Sequence, residues 1–491
     1  MPLLAACGAA AATTSLTSTT ALTASSAPTT VAQAVSTSAA LVTSTAASIA
    51  ARTTAATTTQ PATASAVAVK AAAGSVEFWH PWTGPQYEGP TGMIAKIDAA
   101  FNAKHPDLHI VASNAGSTVI EKLLASVAAG TPPGVVVVTN GNGDVYSLAY
   151  KSVIQPVETV AGPELGQLKD WFFPAIWDLG VYQGKVWALP MWTQGYAMMW
   201  NNNAFQESGL DPAKLPIQTL DELPQLSQKL SKQSGNTYSR VGYWDTWFDC
   251  CSQLALTKYA ASYGGKLMDA TGTKVTANDP NNVKALQWIV DYLKLMDLAR
   301  VQAYQKTLGS PKEGPYLAGK YAMWPDGPWR LRTLQLFNLP REQFGLGPIP
   351  APAGVTGGAE SHYGDIPVIP RGAKQADAWQ FIRFLTGFDG QDTYANLIMI
   401  QPQIPNSQTF AKSAAFKPVL TQYPGFEVWL DQFYTARHFL TPPKIPTAAA
   451  YFATLKLYAG KAFSGALSPQ AALEQATTAA QHDLDTVLAT K

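Results

Sequence analysis

The sequence predicts an α/β protein with parallel strands, and three stretches carry that prediction. From Val76 to Val138, short apolar strands alternate with segments of helical period. A turn-and-strand pattern runs from Gly184 to Trp200, and a third alternation covers Phe344–Ile349, Pro367–Ile369 and Ala376–Leu385. Parallel neighbours need a crossover between them, usually a helix, so this order points to α/β layers.

The elements follow in chain order. Val76–Trp79 reads as a strand leading into a polar, aromatic turn, His80–Gly84. Met93, Ile94, Ile97, Ala100 and Phe101 then fall on one helical face. Leu108–Val111 is a second strand and Val119–Ala129 a second helix, stopped by Gly130 and Pro132-Pro133. Val135–Val138 is apolar at every position, the mark of a strand buried on both faces. Thr219 and Glu222 have capping-box spacing, and Val283–Met296 is an amphipathic helix. A C-terminal helix starts at Ser468-Pro469. Ligands of such sheets bind beyond the carboxyl ends of the strands, which directs attention to the loops Trp79–Gly84, Asn114–Thr118 and Thr139–Gly143.

Composition narrows the function. The chain has 491 residues, 34 basic and 33 acidic, for a net charge of +1. A nucleic-acid binder would carry a basic excess, so that class is excluded. Residues 8–74 are mostly Ala, Ser and Thr, with Arg52 and Lys70 the only charges. Such a stretch lacks the apolar surface to offset ordering and is expected to be a disordered tether. Leu4-Ala5-Ala6-Cys7-Gly8 has the form of a bacterial lipobox with Cys7 as the lipidated residue, and too little chain precedes it for a whole signal peptide. The expected result is a membrane-anchored lipoprotein. Cys250 and Cys251 are adjacent, which excludes a disulfide framework and a Cys-rich zinc site. A vicinal disulfide and a buried pair of thiols both remain, and the thiol pair is the preferred reading.

Several segments together resemble the extracellular solute-binding proteins of ABC importers, in particular the sugar-binding class. They are Phe78–Gly84, Phe101–Pro106, Ala129–Pro133, Tyr182–Pro190, Met199–Pro212, and Gly319–Met323 followed by Gly327-Pro328-Trp329. The order and spacing of these pieces cover nearly the whole chain beyond residue 75. One departure is Gly134, where the family often has Asp after the paired prolines. The resemblance implies a two-lobed periplasmic-binding-protein fold of type II, with a hinge of crossing segments and a ligand between the lobes. The first lobe would comprise 75–193 and 327–398, the second 197–323 and 403–491. The partners implied are a carbohydrate, or a glycerol phosphate ester, and the transmembrane subunits of a permease. A monomer without cofactor is expected.

A sugar offers hydroxyls at its rim and C–H groups on its faces, so its site wants aromatic platforms with amides or carboxylates. The candidate platforms are Trp82, Trp244, Trp247 and Trp329; Trp79 and Trp187 read as core. The candidate polar ligands are Thr118, Asn140, Gln194, Asp326, Tyr363, Gly364, Asp365 and Gln403. Lys444 falls where the resemblance places a cationic phosphate ligand, with Arg437 a weaker choice. The alternative function is a secreted glycoside hydrolase or lyase, which would need two carboxylates across the bond; Asp245, Asp249, Asp326 and Asp365 are available. A surface receptor that senses sugar without transport is a third reading. No nucleophile elbow or Walker A loop occurs, and Pro106 argues against a helical His105/His109 metal pair. No catalytic or metal-ligating residue is therefore assigned.

Overall fold

The computed structural model describes residues 74–84, 87–90, 92–139, 143–309, 314–355, 359–360, 363–436 and 438–490. The lipobox at Cys7 and the expected tether over 8–74 lie outside them. So do Asn140 and Arg437, as well as the side chain of Tyr363.

The first sheet is made by β1 (Ser75–His80), β2 (His109–Asn114), β3 (Val135–Thr139), β4 (Ile154–Gln155) and β5 (Trp192–Gln194), with a late strand, β11 (Tyr363–Pro370). The second contains β6 (Ala197–Asn201), β7 (Lys232–Ser234), β8 (Thr237–Tyr243), β9 (Tyr321–Asp326) and β10 (Phe344–Gly347). In the first sheet the order is β2-β1-β3-β11-β4, with β5 also paired to β11. β1 is parallel to β2 and β3, while β11 runs antiparallel to β3, β4 and β5, so the sheet is mixed. The second sheet has the order β10-β6-β9-β8-β7, with β8 and β9 parallel.

Helices α1 (Met93–Lys104) and α2 (Val119–Ala128) make the first two crossovers, as their apolar periods require. Val135–Val138 is wholly buried at the centre of the first sheet. At about 1.5–3 kcal/mol for each fully buried aliphatic side chain, that run anchors the layer. The other helices used below are α3 (Asp144–Tyr150), α4 (Pro174–Leu179), α5 (Trp247–Cys250), α6 (Ser252–Ser262), α7 (Pro280–Leu295), α8 (Trp329–Leu336), α9 (Gln375–Leu385), α10 (Ala448–Phe463) and α11 (Pro469–Ala489). α11 starts where expected, with Ser468 Oγ accepting from the Ala471 amide at 3.2 Å. The expected capping box takes another form: Thr219 Oγ1 donates to the Glu222 carboxylate at 3.1 Å instead of accepting from a backbone amide.

Two expectations need correction. Phe344–Gly347, grouped from sequence with the first lobe, pairs with β6 in the second sheet. The physical reason is Gly345: a Cβ there would lie 1.8 Å from the Trp200 indole, so only glycine lets β10 close on β6. The chain thus leaves the first sheet between Gln194 and Ala197 and regains it between Gly347 and Tyr363, not at residue 327. Secondly, Cys250 and Cys251 form a disulfide rather than a pair of thiols, and both are partly exposed. Among the described residues no helix is long and apolar enough to cross a membrane.

Candidate functional site

β1 and β3 are parallel, so their C-terminal ends share one edge of the first sheet; antiparallel β11 brings its N-terminal end to the same edge. There Asp365 lies opposite Thr139 and Trp192, and Tyr363 opposite Gln194. Asp365 is buried and collects donors: Trp192 Nε1 at 2.7 Å on one oxygen and Thr139 Oγ1 at 3.0 Å on the other. Burial pushes its carboxyl pKa up, while hydrogen bonds from Trp192, Thr139, Trp82 and Gln194 pull it down. One carboxylate therefore organises two indoles, a hydroxyl and an amide.

Trp82, in the loop after β1, stacks on His80 with centroids 5.5 Å apart and planes at 20°. It meets Trp192 at 6.2 Å, tilted by 42°. Burial lowers the His80 pKa from 6.5, against the charge of Glu88 and a backbone hydrogen bond with Trp82. The imidazole is thus held toward its neutral form on the Trp82 face.

Two residues beyond Gln194, Tyr196 occupies the passage from the first sheet to the second. Trp247 and Trp329 pack edge-on to its ring, at 6.2 Å and 86° and at 5.9 Å and 88°. Trp247 opens α5 and Trp329 opens α8, and both remain partly exposed. Gly327 makes room for the second indole, since a Cβ there would lie 1.9 Å from Trp329 Cζ3. Beneath Trp247, the Asp245 carboxylate accepts from the Trp247 amide at 3.1 Å and forms a buried ion pair with Lys258, whose ammonium lies 5.2 Å from the Tyr196 ring centre. Two aromatic groups thus result, Trp82 with Trp192 beside Asp365, and Trp247 with Trp329 around Tyr196 beside Asp245.

The structure brings Trp82, Gln194 and Gly364 together at the first sheet, and Trp247 and Trp329 at the passage. Gln403 lies on the segment whose Ile404 bridges Thr193; it is 4% exposed, and its Oε1 has no hydrogen-bond partner. Thr118 is exposed and donates to Ala115 O at 3.2 Å, and the Ala115 amide in turn donates to His80 O at 2.8 Å. Three expectations are corrected. Trp244 is fully buried because its amide still bonds to Met323 O of β9 at 3.1 Å, and its Nε1 donates to Asp249 at 2.9 Å. Asp326 is consumed internally, accepting from Arg330 Nε at 2.6 Å, Trp324 Nε1 at 3.0 Å and the Gly327 amide at 3.0 Å. Lys444 is paired with Asp178 of α4 at 2.5 Å, so its charge is already matched. Sequence reading missed Tyr196 and His80. It named Asp365, with Tyr363 and Gly364, among the polar candidates for a sugar as well as among the carboxylates open to catalysis. Among the described residues no group of three His, Cys, Asp or Glu side chains is arranged to hold a metal ion.

The profile of the bacterial extracellular solute-binding proteins matches residues 96–427, more than half of the chain. This chain belongs to that family. The solute-binding protein is 27% identical over 257 residues to the sn-glycerol-3-phosphate-binding periplasmic protein of Escherichia coli, a match covering 49% of this chain and 56% of that one. The chain thus spans about half the length of the curated relatives it matches. Among solved structures, CpMnBP1 with mannotriose bound is similar at a TM-score of 0.69 and 24% identity, covering 83% of this chain and 99% of that one. The GacH receptor of Streptomyces glaucescens is similar at 0.66 and 18%, covering 84% and 99%. These likenesses establish the fold: the solute-binding protein is a two-lobed α/β protein of the type II periplasmic-binding-protein class.

Proposed function

We propose that this protein is an extracytoplasmic receptor that captures a carbohydrate between its two lobes and delivers it to the transmembrane subunits of an ABC permease. The observation that carries the reading is the aromatic group along the passage between sheets, Trp247 and Trp329 around Tyr196, two residues along the chain from Gln194 of the Asp365 cluster. Aromatic faces match the C–H faces of a pyranose, and the amides and carboxylates its hydroxyls. A ligand touching both sheets is bound fully only when the lobes close, so its differential affinity supplies the free energy of closure. We place the first lobe on the first sheet, the second lobe on the second, and the hinge at 195–196, 348–355 and 401–406.

A neutral saccharide suits the site better than a phosphate ester. Lys444, Arg330 and Lys258 are each committed to a carboxylate, respectively Asp178, Asp326 and Asp245. Cys7 serves as the lipid anchor, and the 8–74 segment as its tether. The protein acts as a monomer without a catalytic step.

The test is a tryptophan-fluorescence titration against manno- and malto-oligosaccharides, monosaccharides and glycerol phosphodiesters, followed by analysis of the recovered ligand. Saturable binding at micromolar concentration with an intact saccharide supports the receptor. Recovered fragments would establish the carbohydrate-active enzyme instead, and binding confined to the phosphodiesters would overturn the neutral ligand.

A further inference from the structure

The Cys250–Cys251 disulfide lies where two helices part. α5 ends at Cys250 and α6 begins at Ser252, with Cys251 between them at φ −143° and ψ 61°, outside the helical range. Nothing else in residues 247–262 demands a break, since that stretch has no glycine or proline. Successive side chains on a helix diverge by about 100°, which keeps neighbouring Cβ atoms farther apart than the roughly 3.8 Å a disulfide needs. The bridge and an unbroken helix therefore exclude each other.

α6 is fixed on its far side. Ser252 Oγ donates to Lys456 O of α10 at 2.8 Å, and Lys258 is held in its buried pair with Asp245. The bend consequently falls on the short α5, whose first residue is Trp247 with its edge-on contact to Tyr196. Winding residues 247–251 back onto α6 as one helix would rotate Trp247 off that ring.

We propose that Cys250 and Cys251 are positioning residues whose bond holds Trp247 in the carbohydrate site. The proposal rests on the receptor reading for its ligand, but not for its local geometry.

The experiment uses the whole protein before and after reduction with a water-soluble phosphine, which is oxidised to its oxide as the disulfide gains two electrons and two protons. Peptide mass first establishes the bond; a peptide 250–251 carrying two thiols in the untreated protein would overturn the proposal. Hydrogen exchange then reads the backbone without ligand. Slower exchange at the Ser252 and Gln253 amides after reduction is expected, because an unbroken helix supplies them with acceptors that the first turn of α6 lacks. Unchanged exchange would overturn it. With mannotriose as probe, reduction is expected to weaken binding about tenfold, the scale of one lost aromatic contact. Reduction should change nothing further in Trp247→Ala, and the double variant Cys250→Ser/Cys251→Ser should match the reduced protein. An equal loss in Trp247→Ala would assign the effect to general destabilisation and overturn the proposal. Failure of the untreated protein to bind any saccharide would remove the receptor reading while leaving the exchange and mass results to decide this one.

Discussion

Asp365 shows how one buried carboxyl can gather its neighbours. Its oxygens receive Trp192 and Thr139 at 2.7 and 3.0 Å, and Trp82 and Gln194 complete the set. Asp365→Asn would turn one acceptor into a donor facing donors, a mismatch worth about 1–3 kcal/mol. Calorimetry should show affinity for the bound saccharide falling at least about tenfold with the fold retained, since 1.4 kcal/mol is a factor of ten. An unchanged affinity would mean that Trp82 and Gln194 keep their places without the carboxylate. His80 yields a pH prediction. Its folded pKa is depressed below 6.5 by burial, so the unfolded chain binds more protons between the two values. Stability is therefore full above pH 6.5 and declines as pH falls through the depressed value. Urea unfolding at a series of pH values should show that slope, and His80→Phe should flatten it. Some of this was legible and some was not. Trp244 and Trp247 share one short loop motif, but the first still bonds into the β8–β9 ladder while the second opens a helix. That difference of backbone pairing is not written in residue type. The loss of Asp326 to Arg330 was not legible either, because Asp326 ends a strand and Arg330 lies on the following helix, so no helical spacing relates them.

At the scale of elements, the strands and helices follow the hydrophobic period closely, as in Val135–Val138 and in the helix that begins at Ser468-Pro469. Sheet membership is harder to see. Phe344–Gly347 is short, contains two glycines and carries no alternation that says which sheet it joins. Its partner is set by a tertiary contact, the Trp200 indole lying over Gly345 with Nε1 donating to Pro212 O at 3.0 Å. Gly345→Ala forces a methyl into that ring and is expected to destabilise the protein by about 1–3 kcal/mol, as overpacked cores do. The urea midpoint should fall with the m-value unchanged. A midpoint equal to that of the parent would show that the indole can move aside, and that β10 is not held in the second sheet by this contact.

For the whole molecule, the two-lobed architecture was legible from the order of family-like segments, whereas the function of Lys444 was not. That side chain is 32% exposed and meets Asp178, 60% exposed, at 2.5 Å. Asp178 lies in chain that the proposed boundaries place with the first lobe, and Lys444 in chain placed with the second. On those boundaries the pair is expected to act as a weak clasp favouring closure. Exposed ion pairs are worth about 0–1 kcal/mol, so breaking this one should weaken ligand binding by at most about fivefold. Two single variants separate a clasp from a ligand contact. If Lys444 only closes the lobes, Lys444→Met and Asp178→Asn lower affinity equally, the double variant adds nothing, and added salt shrinks the difference from the parent. If Lys444 instead binds an anionic ligand, Lys444→Met lowers affinity while Asp178→Asn raises it by freeing the ammonium. Titrations of the three variants with a neutral oligosaccharide and a glycerol phosphodiester, at low and high salt, decide between the two. The clasp requires the first pattern with the saccharide and no response to the phosphodiester.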